Sequence, residues 1–156
     1  MTLALVAAFA VVLAAAQEPA PFSSVDVIDI AGDRAEFLPG EGKTIITDNV
    51  RVVSGGAVLT APKVVVFQGE AEGDIARIVA TGGVRFAREG EAISGARAEY
   101  DGPARTITVT GDVLLTQGRQ VARGERLVYH LDTERVELFG APGKRVRGLF
   151  FTGDPG

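Results

Sequence analysis

A unit of about thirty residues recurs along this chain, and the recurrence limits its fold more than any other feature. The first half of each unit closes on an aromatic residue: Phe37, Phe67, Tyr100 and Tyr129, at intervals of 30, 33 and 29 residues. The segments leading to these aromatics are alike: Gly32-Asp33-Arg34-Ala35-Glu36, Ala61-Pro62-Lys63-Val64-Val65-Val66, Gly95-Ala96-Arg97-Ala98-Glu99 and Gly124-Glu125-Arg126-Leu127-Val128. The second half appears as Thr47-Asp48-Asn49-Val50-Arg51-Val52, Thr81-Gly82-Gly83-Val84-Arg85-Phe86 and Thr110-Gly111-Asp112-Val113-Leu114-Leu115. It degenerates to Leu138-Phe139-Gly140-Ala141-Pro142. From aromatic to matching Asp or Gly is 11 residues in three units and 15 in the second, which predicts a longer hairpin through Gln68–Asp74. A unit this small cannot bury its own apolar face, so successive units must share one core.

The clearest copy, Thr106 to Leu115, alternates strictly. Ile107, Val109, Gly111, Val113 and Leu115 fall on one face, and Thr106, Thr108, Thr110 and Asp112 on the other. That is the period of a strand with one buried face. Short Val-, Ile- and Thr-rich runs punctuated by the 20 glycines make the chain all-β, with no helical periodicity beyond the N-terminus. Carried through the repeat, the alternation predicts inward positions at Ile46, Val50, Val52, Val65, Phe67, Ile78, Val84 and Phe86. It adds Tyr100, Ile107, Val109, Val113, Leu115, Leu127, Tyr129, Val136 and Leu138. Arg51, Arg85, Arg97, Glu99, Thr108 and Asp112 face outward. Small inward residues (Ala35, Ala80, Ala96, Ala98, Gly82, Gly111) leave two outcomes: an interior packed shut, or an elongated apolar slot. Pro62 breaks the most apolar pair, Val58 to Phe67, and marks an edge or a bulge.

The chain is poor in reactive side chains. It has 156 residues, enough for one domain, with no cysteine and a single histidine, His130, which follows Tyr129 and should face solvent. A zinc site or nucleophilic triad is therefore excluded. Asp48 and Asp112 stand at turn-like positions rather than as paired acids, and Gly82-Gly83 lacks the following helix of a phosphate loop. No enzyme chemistry and no cofactor are expected. A net charge of -4 without a basic stripe gives no reason to expect nucleic acid. Residues 1–16 carry no charged side chain and end Ala14-Ala15-Ala16, which reads as a secretory signal cleaved after Ala16. The segment is short for a span of about 20 residues, and no Lys or Arg precedes it, so an uncleaved N-terminal anchor is the alternative. Residues 17–24, with Pro19 and Pro21, form a linker, 25–151 the β domain and 152–156 a tail. Val25–Ile30 and Arg145–Phe151 are expected as edge strands at opposite ends. Unpaired edges are blocked or recruit another chain, which makes Val25, Val27, Ile28, Val146, Leu149 and Phe150 docking candidates. The alternative is a plain strand packed on its own core.

Thr110-Gly111-Asp112-Val113-Leu114-Leu115, followed by Gly124-Glu125-Arg126-Leu127-Val128-Tyr129 and the turn Asp132-Thr133-Glu134, resembles the OstA-like pattern of the LptA family of lipopolysaccharide-transport proteins. There a Gly-(Asn/Asp)-Val strand is followed by a Gly-(Asp/Glu)-x-Leu-x-Tyr strand, a turn and a closing strand. The copies at Gly82–Phe86 and Ile93–Tyr100 are similar, and the resemblance covers about residues 25–151. It departs at Gly140-Ala141-Pro142, where a strand would continue. The resemblance implies an open, twisted β-jellyroll of short antiparallel strands with an apolar groove. It implies a periplasmic, non-enzymatic carrier that moves lipopolysaccharide, held by its lipid A acyl chains, from the inner-membrane transporter to the outer-membrane translocon. Implied partners are an LptC-type anchor at one end, an LptD-type translocon at the other, and like copies joined head to tail. The groove is then lined by Ile46, Val50, Val52, Phe67, Ile78, Val84, Phe86, Tyr100, Ile107, Val109, Val113, Leu115, Leu127, Tyr129 and Leu138. Arg51, Arg85, Arg88, Arg97 and Arg123 become candidates for headgroup phosphates, against a plain solvated face. Two other readings stand: a membrane-anchored LptC-type jellyroll adaptor, and a secreted structural β-repeat without ligand.

Overall fold

The computed structural model describes residues 27–150. The expected signal, the linker and Val25 lie outside the described residues, as do Phe151 and the tail. The described chain forms one antiparallel sheet of ten strands. They are β1 Asp29–Ala31, β2 Arg34–Leu38, β3 Lys43–Ser54, β4 Ala57–Gln68, β5 Ile75–Arg88, β6 Glu91–Asp101, β7 Thr106–Gln117, β8 Gln120–His130, β9 Val136–Phe139 and β10 Arg147–Leu149, with a 3₁₀ turn at Pro39–Glu41. Strands β3 to β8 pair in sequence order. The outer edge of β3 is shared by β1 and β2, and that of β8 by β9 and β10. The longer hairpin of the second unit is the 69–74 loop, closed by the Gly69 N–H donating to the Asp74 carbonyl at 2.8 Å.

Each long strand is really two short ones joined at a kink. In β3, β5 and β7 the kink falls on the repeated motif. Asp48 and Asn49 have φ of 65° and 52°, Gly82 and Gly83 91° and 94°, and Gly111 and Asp112 86° and 47°. Two consecutive left-handed residues interrupt a ladder and bend the strand. Every pairing from β3–β4 to β7–β8 shifts register at this line. The break between β1 and β2 lies on it too: the Asp33 N–H donates to the Asp48 carbonyl at 2.9 Å, and Asn49 Nδ2 to Asp33 Oδ2 at 2.7 Å. The bends fold the sheet over so that its two halves face each other. Phe86 and Tyr129 sit three strands apart, which in a flat sheet means about 14 Å, yet their ring centres are 5.8 Å apart.

Cross-strand register aligns the inner residues into rows that span the sheet. In one half Phe37, Thr44, Val66, Ile78, Tyr100, Ile107, Tyr129 and Val136 are successive partners. In the other, Ile30, Val52, Leu59, Phe86, Ile93, Leu115, Ala122 and Gly148 are. Between the facing rows lies a single core holding Val50, Val64, Val84, Val109, Val113 and Leu127, each at most 4% exposed. Burial of such a side chain stabilises by roughly 1.5–3 kcal/mol. Gly95 and Gly124 permit the close approach at the fold line. A Cβ on Gly95 would stand 2.5 Å from Val109 Cγ1, and one on Gly124 2.8 Å from Leu138 Cδ1.

The kinks correct part of the sequence-based alternation. In β4 both Ala61 and Val64 point inward, because the register shifts across Pro62. Val65 and Phe67, expected inside, therefore lie on the outer face, where the Arg77 guanidinium stacks 4.3 Å from the Phe67 ring centre. Val64, Val66 and Ile93 take the buried places. Gly82 and Gly111 are kink residues, and Ala96 is exposed beside Gly111 rather than facing a slot. At the edges Val27 and Ile28 precede β1, while Val146 precedes and Phe150 follows β10, so these candidates lie outside the strands.

Gly111→Ala adds a Cβ at a φ of 86° and 2.6 Å from Ala96 Cβ. It should cost about 1–3 kcal/mol by denaturant unfolding. Gly40→Ala, in open space at ordinary φ, should stay within about 0.5 kcal/mol of the parent.

Candidate functional site

The facing half-sheets enclose an apolar cavity of about 240 Å³. One half contributes Ile78, Ala80, Ala98, Tyr100 and Ile107, and the other Val52, Ala57, Leu59 and Phe86, with Ile28 and Leu131 at its ends. The space exists because three facing positions are alanine: Ala57, Ala80 and Ala98. A cavity of about 150 Å³ lined by aliphatics stays dry and binds benzene, so this one has room for a hydrocarbon segment. Among the described residues no buried side chain is charged, and the one buried side-chain hydroxyl is that of Tyr129. The interior therefore offers dispersion and exclusion of water.

Polar groups gather at the mouth, which Ser54, Gly55, Arg88 and Arg105 border. Arg88 ends β5 in phase with Val84 and Phe86, so it faces inward. Its Nη1 donates to Tyr129 Oη at 3.1 Å and its Nη2 pairs with Glu134 at 3.0 Å. The Tyr129 phenol oxygen, and after it Glu134, hold the Arg88 guanidinium above the usual arginine range. Arg105 Nε pairs with Asp132 at 2.6 Å. Both acids belong to the turn joining β8 to β9, which is also tied by the Leu131 N–H to the Arg105 carbonyl at 3.0 Å. One acidic turn thus lies across the mouth.

Of the residues expected to line a groove, Val52, Ile78, Phe86, Tyr100 and Ile107 line the cavity. Ile46, Val50, Val84, Val109, Val113, Leu127 and Tyr129 are buried in the packing around it, and Leu115 and Leu138 are partly buried against that core. Phe67 is outside. Among the five candidate arginines only Arg88 reaches the cavity. Arg51 and Arg85 border a separate trough along the kinks with Asp48 and Asp112. Arg97 pairs with Glu99 at 2.8 Å on the outer face, and Arg123 is exposed there. Sequence reading missed Arg105 and Leu131. The signal for Arg105 was the turn Gly102-Pro103-Ala104, which delivers it at a φ of 51°.

His130 faces outward as expected but is half-buried, with Nε2 3.0 Å from Glu137 Oε2. Among the described residues no group of three His, Cys, Asp or Glu could hold a metal ion, and no helix is long and apolar enough to cross a membrane.

A folded-over antiparallel sheet with an apolar space between its halves defines an open β-jellyroll. A model of the family described as LptA/(LptD N-terminal domain) LPS transport protein matches residues 29–135. An uncharacterized protein of Rhizobium meliloti is 30% identical over 125 residues, covering 75% of this chain and 67% of that protein. The crystal structure of LptH, the LptA-homologous periplasmic component of the lipopolysaccharide transport device of Pseudomonas aeruginosa, superposes with a TM-score of 0.72. It is 17% identical and covers 81% of this chain and 96% of that one. The chain belongs to the LptA/LptD N-terminal-domain family of lipopolysaccharide-transport proteins, a transport family and not an enzyme family.

Glu137 gives a pH prediction. The His130 hydrogen bond, and then Arg135, lower its carboxyl from the ordinary 4.5. A lowered carboxyl contributes stability that is complete above its unfolded value and lost as pH falls through the lowered one. Thermal melts from pH 7 down to 3 should fall less steeply below about pH 4.5 for Glu137→Gln than for the parent.

Proposed function

We propose that the protein is a periplasmic carrier that holds the acyl chains of lipid A between its half-sheets and passes lipopolysaccharide toward the outer membrane. The observation that carries this reading is the apolar cavity of about 240 Å³, kept open by alanines inside a lipopolysaccharide-transport jellyroll. It favours a carrier over a structural repeat with a closed core. The uncharged N-terminal segment ending in alanines, and the periplasmic setting of LptH, support the compartment.

The two ends of the sheet support hand-over to neighbours. Each is made of two short strands rather than one long one, and each exposes apolar side chains: Phe37 at 72% on β2, Leu149 at 66% on β10 and Phe150 at 68% beyond it. Val27 and Val146 flank them, also exposed, whereas Ile28 packs against the core and lines the cavity. Such edges suit strand addition by another jellyroll: an LptC-type anchor, an LptD-type translocon, or a like copy joined head to tail.

Photo-crosslinking in cells that make lipopolysaccharide tests the carrier. Probes at Phe86 and Ile107 should give lipopolysaccharide adducts, and outward probes at Arg51 and Thr108 none. A folded periplasmic protein with no adduct at either inner position refutes the reading.

A further inference from the structure

We propose that Arg88 and Arg105 together bind the phosphate of an amphiphile whose chain occupies the cavity, and that Asp132 and Glu134 are built-in stand-ins which that phosphate displaces. The inference rests on the carrier reading and assigns the part of the ligand that the apolar interior leaves unread.

Both guanidiniums border this apolar cavity, so a chain seated there brings its polar end to them. A guanidinium matches phosphate oxygens bidentately, and the bond is charge-assisted. Tyr129 Oη, 3.1 Å from Arg88 Nη1, fixes the direction of that fork, because Tyr129 is itself locked in the core at 2% exposure. Each guanidinium already holds a carboxylate of the β8–β9 turn, and these two acids stand two residues apart. Both acids are 64% exposed at the side chain. Pairs so exposed are weak. Glu134 also has a left-handed φ of 56°, a conformation that a non-glycine residue holds reluctantly. Exchange of carboxylate for phosphate keeps the cations paired throughout, and the chain buried in the cavity supplies the surplus that favours the ligand. The other candidate arginines lack this placement: Arg51, Arg85, Arg97 and Arg123 are exposed on the outer face.

Calorimetric titration of the full chain with dodecyl phosphate, neutral dodecyl maltoside and inorganic phosphate, each below its micellar range, tests this. Asp132→Asn with Glu134→Gln should tighten dodecyl phosphate about tenfold, the scale of one charge-assisted bond, and leave dodecyl maltoside unchanged. Glu70→Gln with Glu72→Gln changes the net charge equally on the distant 69–74 loop, where both acids are exposed, and should leave both affinities unchanged. Arg88→Gln with Arg105→Gln should remove the preference for the phosphate probe while the neutral probe still binds. The carboxamide pair alters only exposed turn side chains, so it decides the matter even if the arginine pair misfolds. No tightening by the carboxamide pair overturns the inference. So does equal binding of both dodecyl probes by every variant, which leaves the chain-binding cavity intact. Inorganic phosphate binding as tightly as dodecyl phosphate overturns it too, since the cavity then plays no part. If neither dodecyl probe binds any variant, the carrier reading falls and this inference falls with it.

Discussion

The fold depends on one line of backbone bends. A ten-stranded antiparallel sheet with alternating faces would, if flat, leave its apolar side to water. Pairs of left-handed residues at Asp48-Asn49, Gly82-Gly83 and Gly111-Asp112, placed in register on alternate strands, let it fold across itself. The intervening strands accommodate the bend by a change of face, as at Ala61 and Val64. Backbone groups freed at the bend find local partners. The Asp112 N–H points at Glu125 Oε2 at 3.4 Å, and the Asp33–Asn49 hydrogen bond ties the edge strands to the same line. The repeated Thr-Gly-Asp-Val motif is thus a hinge instruction, and its Gly-Glu-Arg companion supplies both the small residue at the fold line and a carboxylate beside it.

Folding over creates a core whose middle is packed and whose one side is not. Around Val50, Val84, Val113, Val109 and Leu127 the two halves meet without space. Away from the hinge line they diverge, and alanines at positions 57, 80 and 98 keep the gap apolar and open. Larger residues there would bury more area and close the cavity, so the interior surrenders packing energy and keeps an open space. At its rim Arg88 reaches over from one half to Glu134 on the other, while Arg105 pairs with Asp132 on the neighbouring turn of its own half.

The ends of the sheet follow from the same economy of length. A β-barrel removes its edges by closure, whereas this sheet ends on β1 and β2 at one side and β9 and β10 at the other. Short strands limit unplanned pairing, because little backbone is presented in any one line. Exposed Phe37, Leu149 and Phe150 nevertheless mark both edges as apolar.

The sequence by itself determined the strand character, the repeat, the turn lengths and most of the core. A period of two in Thr106–Leu115 and an aromatic every thirty residues or so are local signals, written in neighbouring residues. Alternation also located Ile78, Phe86, Tyr100 and Ile107, because no bulge falls between each of them and the motif that sets its phase. It failed for Val65 and Phe67, where the bend at Pro62 shifts the face by one residue. Such a shift depends on what the partner strand does and not on the run itself. Two further features were decided only by tertiary structure. The cavity arises from the angle between half-sheets, and no single segment encodes an angle between segments. The pairing of Arg88 with Glu134 and Arg105 with Asp132 joins residues 46 and 27 positions apart. Arg88 meets Glu134 because the hinge line brings one half of the sheet against the other, and Arg105 meets Asp132 because the β7–β8 register sets their turns side by side.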